Sequence, residues 1–184
     1  MKNFNYYYQT IVKQDLINKF NYTQIKKIPK IEKIVLSINS KNNELKQILI
    51  SLVALELITS QKAIPTATKK FKIVLTTQKG SVTGCKIILK KKIKYNFFHR
   101  LISEIFPKLK QPNSLQFNKN KNKNAKMITF SSLKTLNFPE LEANYHYFTN
   151  LSNLNITIIT SANNLNELLF LFKSIKIPFN YCKI

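Results

Sequence analysis

Apolar residues along the chain change period several times, and each change marks an element. Tyr8, Val12, Leu16 and Phe20 recur every four residues and predict one face of an amphipathic helix over about 5–20. Pro29 lies beyond its end, and the residue before a proline avoids the helical region. Over Glu32–Ile38 the period falls to two. Ile34, Leu36 and Ile38 are apolar, while Lys33 and Ser37 lie on the other side, interrupted by Val35. That is the alternation of a half-buried strand. Asn42 and Asn43 mark a turn and a helix start. Leu45, Ile48, Leu49, Leu52 and Leu55 then predict a helix, apolar around much of its circumference and therefore expected to be deeply buried. The block Gln61–Val82 is irregular and holds Pro65, Gly80, Lys69, Lys70, Lys72 and Lys79. It reads as an extended basic loop, with a short strand possible at Phe71–Thr76.

Alternation returns at Gly84–Lys90, where Cys85, Ile87 and Leu89 point one way and Lys86, Ile88 and Lys90 the other. A helix follows, with Phe98, Leu101, Ile102 and Ile105 on one face and His99, Arg100, Ser103 and Glu104 on another, ending before Pro107. Residues 108–126 are polar and repetitive. Their last part, Asn118–Lys126, alternates Lys with Asn, cannot bury a core and is expected to be mobile when free. Leu154–Thr160 is a further strand. Asn164 with Glu167 resembles a helix N-terminal cap pair, and Leu165, Leu168, Leu169 and Phe172 continue at helical spacing until Pro178. No internal repeat or linker interrupts the chain. The pattern predicts one compact domain over 1–184, a sheet with helices behind it, and basic loops projecting at about 68–82 and 111–126.

Composition turns this layer towards a polyanion. The chain has 184 residues, 44% of them hydrophobic, with 30 Lys+Arg against 8 Asp+Glu and a net charge of +22. The apolar content is enough for a folded core, and the charge favours a nucleic acid over an acidic protein or an anionic membrane. Arg100 is the only arginine. Abundant Lys, Asn and Ile, all with AT-rich codons, read as a genome signature of an organelle or an AT-rich bacterium. Cys85 and Cys182 form no framework and have no zinc-ligand spacing, so both are expected to be reduced thiols. Met1–Phe20 has neither a secretory nor an import pattern. The longest apolar stretches, near Ile48–Leu57 and Leu168–Phe172, are too short or too interrupted to span a bilayer, and no membrane partner is expected.

Catalysis finds no support in the residues. Acid–base and two-metal chemistry use paired carboxylates, whereas the eight here are scattered and only Glu140 and Glu142 are near neighbours. Gly80 and Gly84 are the only glycines, too few for a phosphate loop. No enzyme activity, metal, cofactor or small-molecule substrate is expected. Lysines instead cluster: Lys26, Lys27, Lys30 and Lys33; Lys69, Lys70 and Lys72; Lys86, Lys90, Lys91, Lys92 and Lys94; Lys108 and Lys110; Lys119, Lys121, Lys123 and Lys126. Each can neutralise a phosphate and release a counterion. If the strands share a sheet, Lys33 and Ser37 line up with Lys86 and Lys90 on a basic, partly hydroxylic face. Such a face suits structured RNA, which is read by shape, 2′-hydroxyls and phosphates. No helix-turn-helix, zinc finger or basic zipper points to DNA.

Several short motifs, in order, resemble one family. Tyr6–Tyr8 followed by Phe20, Asn21 and Tyr22 is similar to its opening helix and Phe-Asn-Tyr exit. Pro29, Lys30, Ile31, Glu32, Lys33 and Ile34 resemble its Pro-Arg-Val/Ile-Glu-Lys strand. Ile58 through Lys70, with Gln61 and Lys62, resembles its signature region. Gly84-Cys85-Lys86 is similar to its Gly-x-Lys strand start, and Phe97 to Leu101 to its Phe-x-x-Arg-Leu helix. Phe138-Pro139-Glu140, Leu154–Ile158 and Pro178-Phe179 complete the series. The family is the universal large-subunit ribosomal protein L-five, which binds 5S ribosomal RNA. The resemblance spans almost the whole chain.

This resemblance implies an α+β fold, an antiparallel sheet backed by helices on one face. It implies that Lys33, Ser37, Gln61, Lys62, Lys86 and Ile88 hold 5S ribosomal RNA, or its replacement, within the central protuberance. It implies that the loop carrying Lys69, Lys70, Phe71, Lys72 and Lys79 approaches peptidyl-site transfer RNA and forms an intersubunit bridge with a small-subunit head protein. Lys119, Lys121, Lys123 and Lys126 would meet large-subunit ribosomal RNA. Ser37 stands where the family often has Asn, Ile88 where Thr is common, and Ser60 where Gly is usual. The expectation is a structural protein of a mitochondrial large subunit, with a plastid or the cytoplasm of an AT-rich bacterium as alternatives. The competing reading is a free-standing basic RNA/DNA-binding regulator or nuclease subunit.

Overall fold

The computed structural model describes residues 4–40, 45–68, 79–108 and 126–177. Strands β1 (Ile31–Asn39), β2 (Ile64–Ala67), β3 (Val82–Leu89), β4 (Met127–Leu133) and β5 (Leu154–Thr160) form one antiparallel sheet ordered β2-β3-β1-β5-β4. With its helices this is the expected α+β class. Most of the two basic loops lies outside the described residues.

The period-two segments become strands with the expected faces. In β1, Ile34, Leu36 and Ile38 are fully buried while Lys33, Val35 and Ser37 stay half-exposed. In β3, Cys85, Ile87 and Leu89 are buried, and in β5 Leu154, Ile156, Ile158 and Thr160. Two strands have no counterpart in the sequence reading. β2 falls inside the block read as loop; its Pro65, which has no N–H to donate, is tolerated because β2 is an edge strand. The alternative strand at Phe71–Thr76 lies outside the described residues. β4 follows directly on the Lys/Asn tract. Buried Ile128 and Phe130 flank Thr129, whose hydroxyl lies 3.1 Å from that of Thr157.

By contact density the chain forms two units. The first comprises Met1–Ile34, Leu89–Phe130 and Thr157–Ile184. Its first helical run covers 4–20 and contains a π-helical stretch, Tyr8–Val12, between α-helical Phe4–Tyr7 and Lys13–Phe20. A strict four-residue apolar spacing outruns the 3.6 residues of an α-turn, so its stripe would drift around the helix. The wider π-turn absorbs that drift and keeps Phe4, Tyr8, Val12 and Leu16 all buried. The second run, 91–108, repeats the device. A π stretch at Leu101–Ile105 lies beneath Phe97, Leu101 and Ile105, again four apart.

That second run also continues through Pro107 to Lys108 instead of ending before the proline. The N–H of Phe106 bonds Leu101, five residues back, so the turn before Pro107 is already widened and the usual clash with the i−4 carbonyl is relieved. The last helix is Leu165–Ser174. Its cap differs from expectation: the Asn164 side chain makes no cap bond, and Glu167 Oε2 accepts the Asn163 N–H at 3.2 Å. Edge-to-face rings join these helices, Phe4 on Phe98 at 4.9 Å and Phe20 on Phe170 at 5.7 Å. Tyr8 donates to the Pro29 carbonyl at 2.6 Å, and burial pushes its phenol up to about 12.

The second unit comprises Val35–Ile88 and Ser131–Ile156. Helix Leu45–Thr59 packs against the short helices Pro139–Glu142 and Tyr145–Phe148. It buries Ile48, Ala54, Leu55 and Ile58 but is not enclosed. Leu45 (74%), Leu49 (61%), Val53 (50%) and Leu57 (44%) form an exposed stripe four residues apart. A helix lying on a layer covers one stripe, whatever the chemistry of its outer face. Buried Ser51 and Thr59 satisfy their hydroxyls on the Gln47 and Leu55 carbonyls, one turn back.

Candidate nucleic-acid interface

Within the second unit, the hydrogen bond from Ser40 N–H to the Thr83 carbonyl (2.9 Å) fixes the antiparallel register of β1 on β3. Gly84 beside Asn39 agrees with it: a Cβ on Gly84 would meet the Asn39 Cα at 3.2 Å and the Ile38 carbonyl oxygen at 2.6 Å. This register, continued along the pair, sets Ser37 opposite Lys86 and Val35 opposite Ile88. Parity then places all four on the sheet face away from buried Leu36, Ile38, Cys85 and Ile87. β2 adds Ile64 directly across from Lys86. Gln61, half-buried, and Lys62, exposed, occupy the turn into β2.

The structure therefore brings together Ser37, Lys86 and Ile88. Lys33 lies on the same side of β1 as Ser37, four residues earlier, and is half-exposed. Among the described residues, no hydrogen bond or ion pair engages the side chains of Lys33, Ser37, Gln61, Lys62 or Lys86. Their donors are unspent, and polar side chains of that kind on an open strand face can take phosphate oxygens or 2′-hydroxyls. Val35, Ile64 and Ile88 make the face apolar between its polar points, so it offers packing as well as charge.

Buried groups behind the face do other work. Cys85 directs its thiol to the Ile38 carbonyl at 3.9 Å, and burial raises that thiol to about 11, leaving it neutral and inert at physiological pH. Lys94 departs from the reading that grouped it with phosphate-binding lysines. It is 9% exposed, and its ammonium donates to the Ile31 (2.5 Å) and Glu32 (3.1 Å) carbonyls above the Tyr95 ring. Desolvation lowers its pKa, helped by the Lys30 charge and opposed by Glu32. Successive carbonyls of a regular strand point opposite ways. One ammonium reaching both marks an irregular start to β1, where buried Ile31 breaks parity with Ile34. Lys90, Lys91 and Lys92 remain exposed.

Of the two segments read as basic loops, only the ends lie among the described residues. Thr68 N–H donates to the Ser81 carbonyl (2.9 Å) and Gly80 N–H to the Thr68 carbonyl (3.0 Å), with Gly80 at φ +88. Lys79 stands exposed beside this closure. Lys126 is exposed and its carbonyl accepts from the Thr160 N–H and hydroxyl. Lys69, Lys70, Phe71, Lys72, Lys119, Lys121 and Lys123 lie outside the described residues.

One basic feature escaped the sequence reading. Lys19, Phe20, Phe170 and Lys173 come together where the first helical run meets the last helix. The signal was present as Lys19-Phe20 in one helix and Phe170 three residues before Lys173 in another. Nothing in either segment says that the two helices pair.

Comparison with known proteins identifies the family. Residues 82–179 match the model for the C-terminus of the ribosomal L-five protein family. The chain is 35% identical over 176 residues to the large ribosomal subunit protein uL5m of Reclinomonas americana, covering 95% of this chain and 96% of that one. It is 33% identical over 177 residues to the large ribosomal subunit protein uL5 of Malacoplasma penetrans, covering 94% and 91%. Against uL5 of Borreliella burgdorferi it is 31% identical over 179 residues, covering 95% and 94%. Family model, near full-length relatives and the α+β sheet agree, and the chain belongs to the ribosomal L-five protein family.

Proposed function

We propose that this chain is a structural, non-catalytic constituent of a mitochondrial large ribosomal subunit, acting as one RNA-binding module. Membership of a ribosomal protein family supports the large-subunit role, and the similarity to uL5m supports the mitochondrial one. In this reading Lys33, Ser37, Gln61, Lys62, Lys86 and Ile88 hold 5S ribosomal RNA or its replacement, and neighbouring large-subunit RNA meets Lys119, Lys121, Lys123 and Lys126. The loop with Lys69, Lys70, Phe71, Lys72 and Lys79 reaches peptidyl-site transfer RNA and an intersubunit bridge.

The observation that carries the sheet-face reading is Ser37 opposite Lys86 with their donors unspent on an open face. Binding there neutralises phosphates with lysine and fixes register with hydroxyl and packing contacts, without chemistry on the RNA. The test replaces Lys33 and Lys86 together by Glu in the full chain and follows co-sedimentation with large subunits. Loss of incorporation with an unchanged melting temperature is expected, because both side chains are half-exposed. Normal incorporation refutes the sheet-face assignment. A wild-type chain found in a free pool, away from large subunits, refutes the ribosomal reading and favours a free-standing regulator.

A further inference from the structure

We infer that the cleft between the first and last helices is a second RNA site, one that takes a single unpaired nucleotide. It belongs wholly to the first unit and is built by helices. Its volume is about 300 Å³, at the small end for ligand pockets, and Lys19, Phe20, Asn166, Leu169, Phe170 and Lys173 line it. Phe20 and Phe170 meet edge to face, 5.7 Å apart at 79°, so they form two walls at a near right angle. Both rings are half-exposed. The Lys19 ammonium sits 4.1 Å from the Phe170 centroid and 5.7 Å from that of Phe20. The Phe170 ring therefore holds a cation in the cleft, while the Phe20 ring, which also meets Tyr22 at 6.1 Å and 45°, keeps part of its surface open to a base. Lys173 stands exposed one turn beyond Phe170. Among the described residues neither lysine forms a salt bridge.

Two cations beside an aromatic wall select a ligand that is both anionic and planar. A nucleotide is both: its base stacks on an aromatic ring whatever its identity, and its phosphate pairs with lysine. An acidic peptide would use the cations but gain little from the rings. Asn166, one turn before Phe170 on the same helix, brings an amide with donors and an acceptor for a base edge. Because stacking requires an unpaired base, the site takes a bulged or looped nucleotide. It adds a base contact to the phosphate contacts that lysine-rich loops provide.

The inference takes its ligand class from the RNA-binding reading, and its test separates the two. The full chain is irradiated with a ten-nucleotide oligouridylate carrying 4-thiouridine, and cross-linked peptides are identified by mass spectrometry. Cross-links at the Phe20 and Phe170 peptides are expected. They should fall about tenfold in Lys19→Gln/Lys173→Gln, whose side chains are exposed and whose fold should be unchanged. An abasic strand of equal length should compete at least about tenfold less well than oligouridylate. Unchanged yield in the double variant, equal competition by the abasic strand, or cross-links confined to β1 and β3 peptides would each overturn the cleft site alone. Cross-links nowhere would likewise overturn the cleft site, while the sheet-face reading, which concerns structured RNA, stands or falls on the co-sedimentation test.

Discussion

At Ser60 the chain leaves the Leu45–Thr59 helix with φ +54, the left-handed region, and its N–H donates to the Glu56 backbone carbonyl at 2.7 Å. A side chain there costs roughly 1–2 kcal/mol that glycine does not incur. The resemblance had placed a usual glycine at this position, and the backbone supplies the reason. Gly84 is the opposite case. Its added Cβ would lie 2.6 Å from the Ile38 carbonyl oxygen, a backbone atom that cannot turn aside. Denaturant unfolding should therefore show Ser60→Gly more stable by about 1 kcal/mol and Gly84→Ala less stable by about 1–3 kcal/mol. A loss of stability in Ser60→Gly would contradict the first assignment, and unchanged or raised stability in Gly84→Ala the second. Lys94 teaches the same lesson from another side. Its charge was legible in the sequence, but its destination, two backbone carbonyls of β1, was set by packing.

Among the elements, the ones with a clean period were legible. Both π stretches sit under buried residues spaced by four; in the first helix that spacing also announced the element, whereas the second was read from Phe98, Leu101, Ile102 and Ile105 and its Phe97–Leu101–Ile105 stripe appears only in the structure. The misjudged helix is Leu45–Thr59, whose apolar circumference predicted enclosure. A period says which positions are alike, not how many layers cover them. Leu49→Lys should thus change stability by less than about 0.5 kcal/mol, while Leu55→Ala should cost about 2–5 kcal/mol. Thermal melts of the two variants check this, and a large loss in Leu49→Lys would mean that the outer stripe is covered. The two strands that escaped notice, β2 and β4, are both edges. β2 is four residues long and contains Pro65, and β4 follows a Lys/Asn tract that masks the Ile128–Phe130 alternation. A strand as short as β2 carries little pattern of its own because its partner holds it in place, whereas the seven residues of β4 are obscured by the polar tract before them.

For the molecule as a whole, the net charge of +22 acts on any polyanion before a particular contact is made. If about six phosphates are engaged, affinity for RNA should fall roughly a thousandfold between 50 and 200 mM salt. Filter binding or fluorescence anisotropy of the full chain with ribosomal RNA measures this, and a loss under about tenfold would show that charge is not the main source of affinity. The sequence by itself determined the class of partner, the α+β arrangement and the family, because charge, period and ordered motifs are local or additive properties. Tertiary structure decided which lysines are free, since Lys94 and Lys86 look alike until one is buried beneath β1. It also decided that Ser37 faces Lys86 and that Phe20 meets Phe170. Register and helix pairing join residues far apart in the chain, and no local pattern encodes which distant segment a given face will meet.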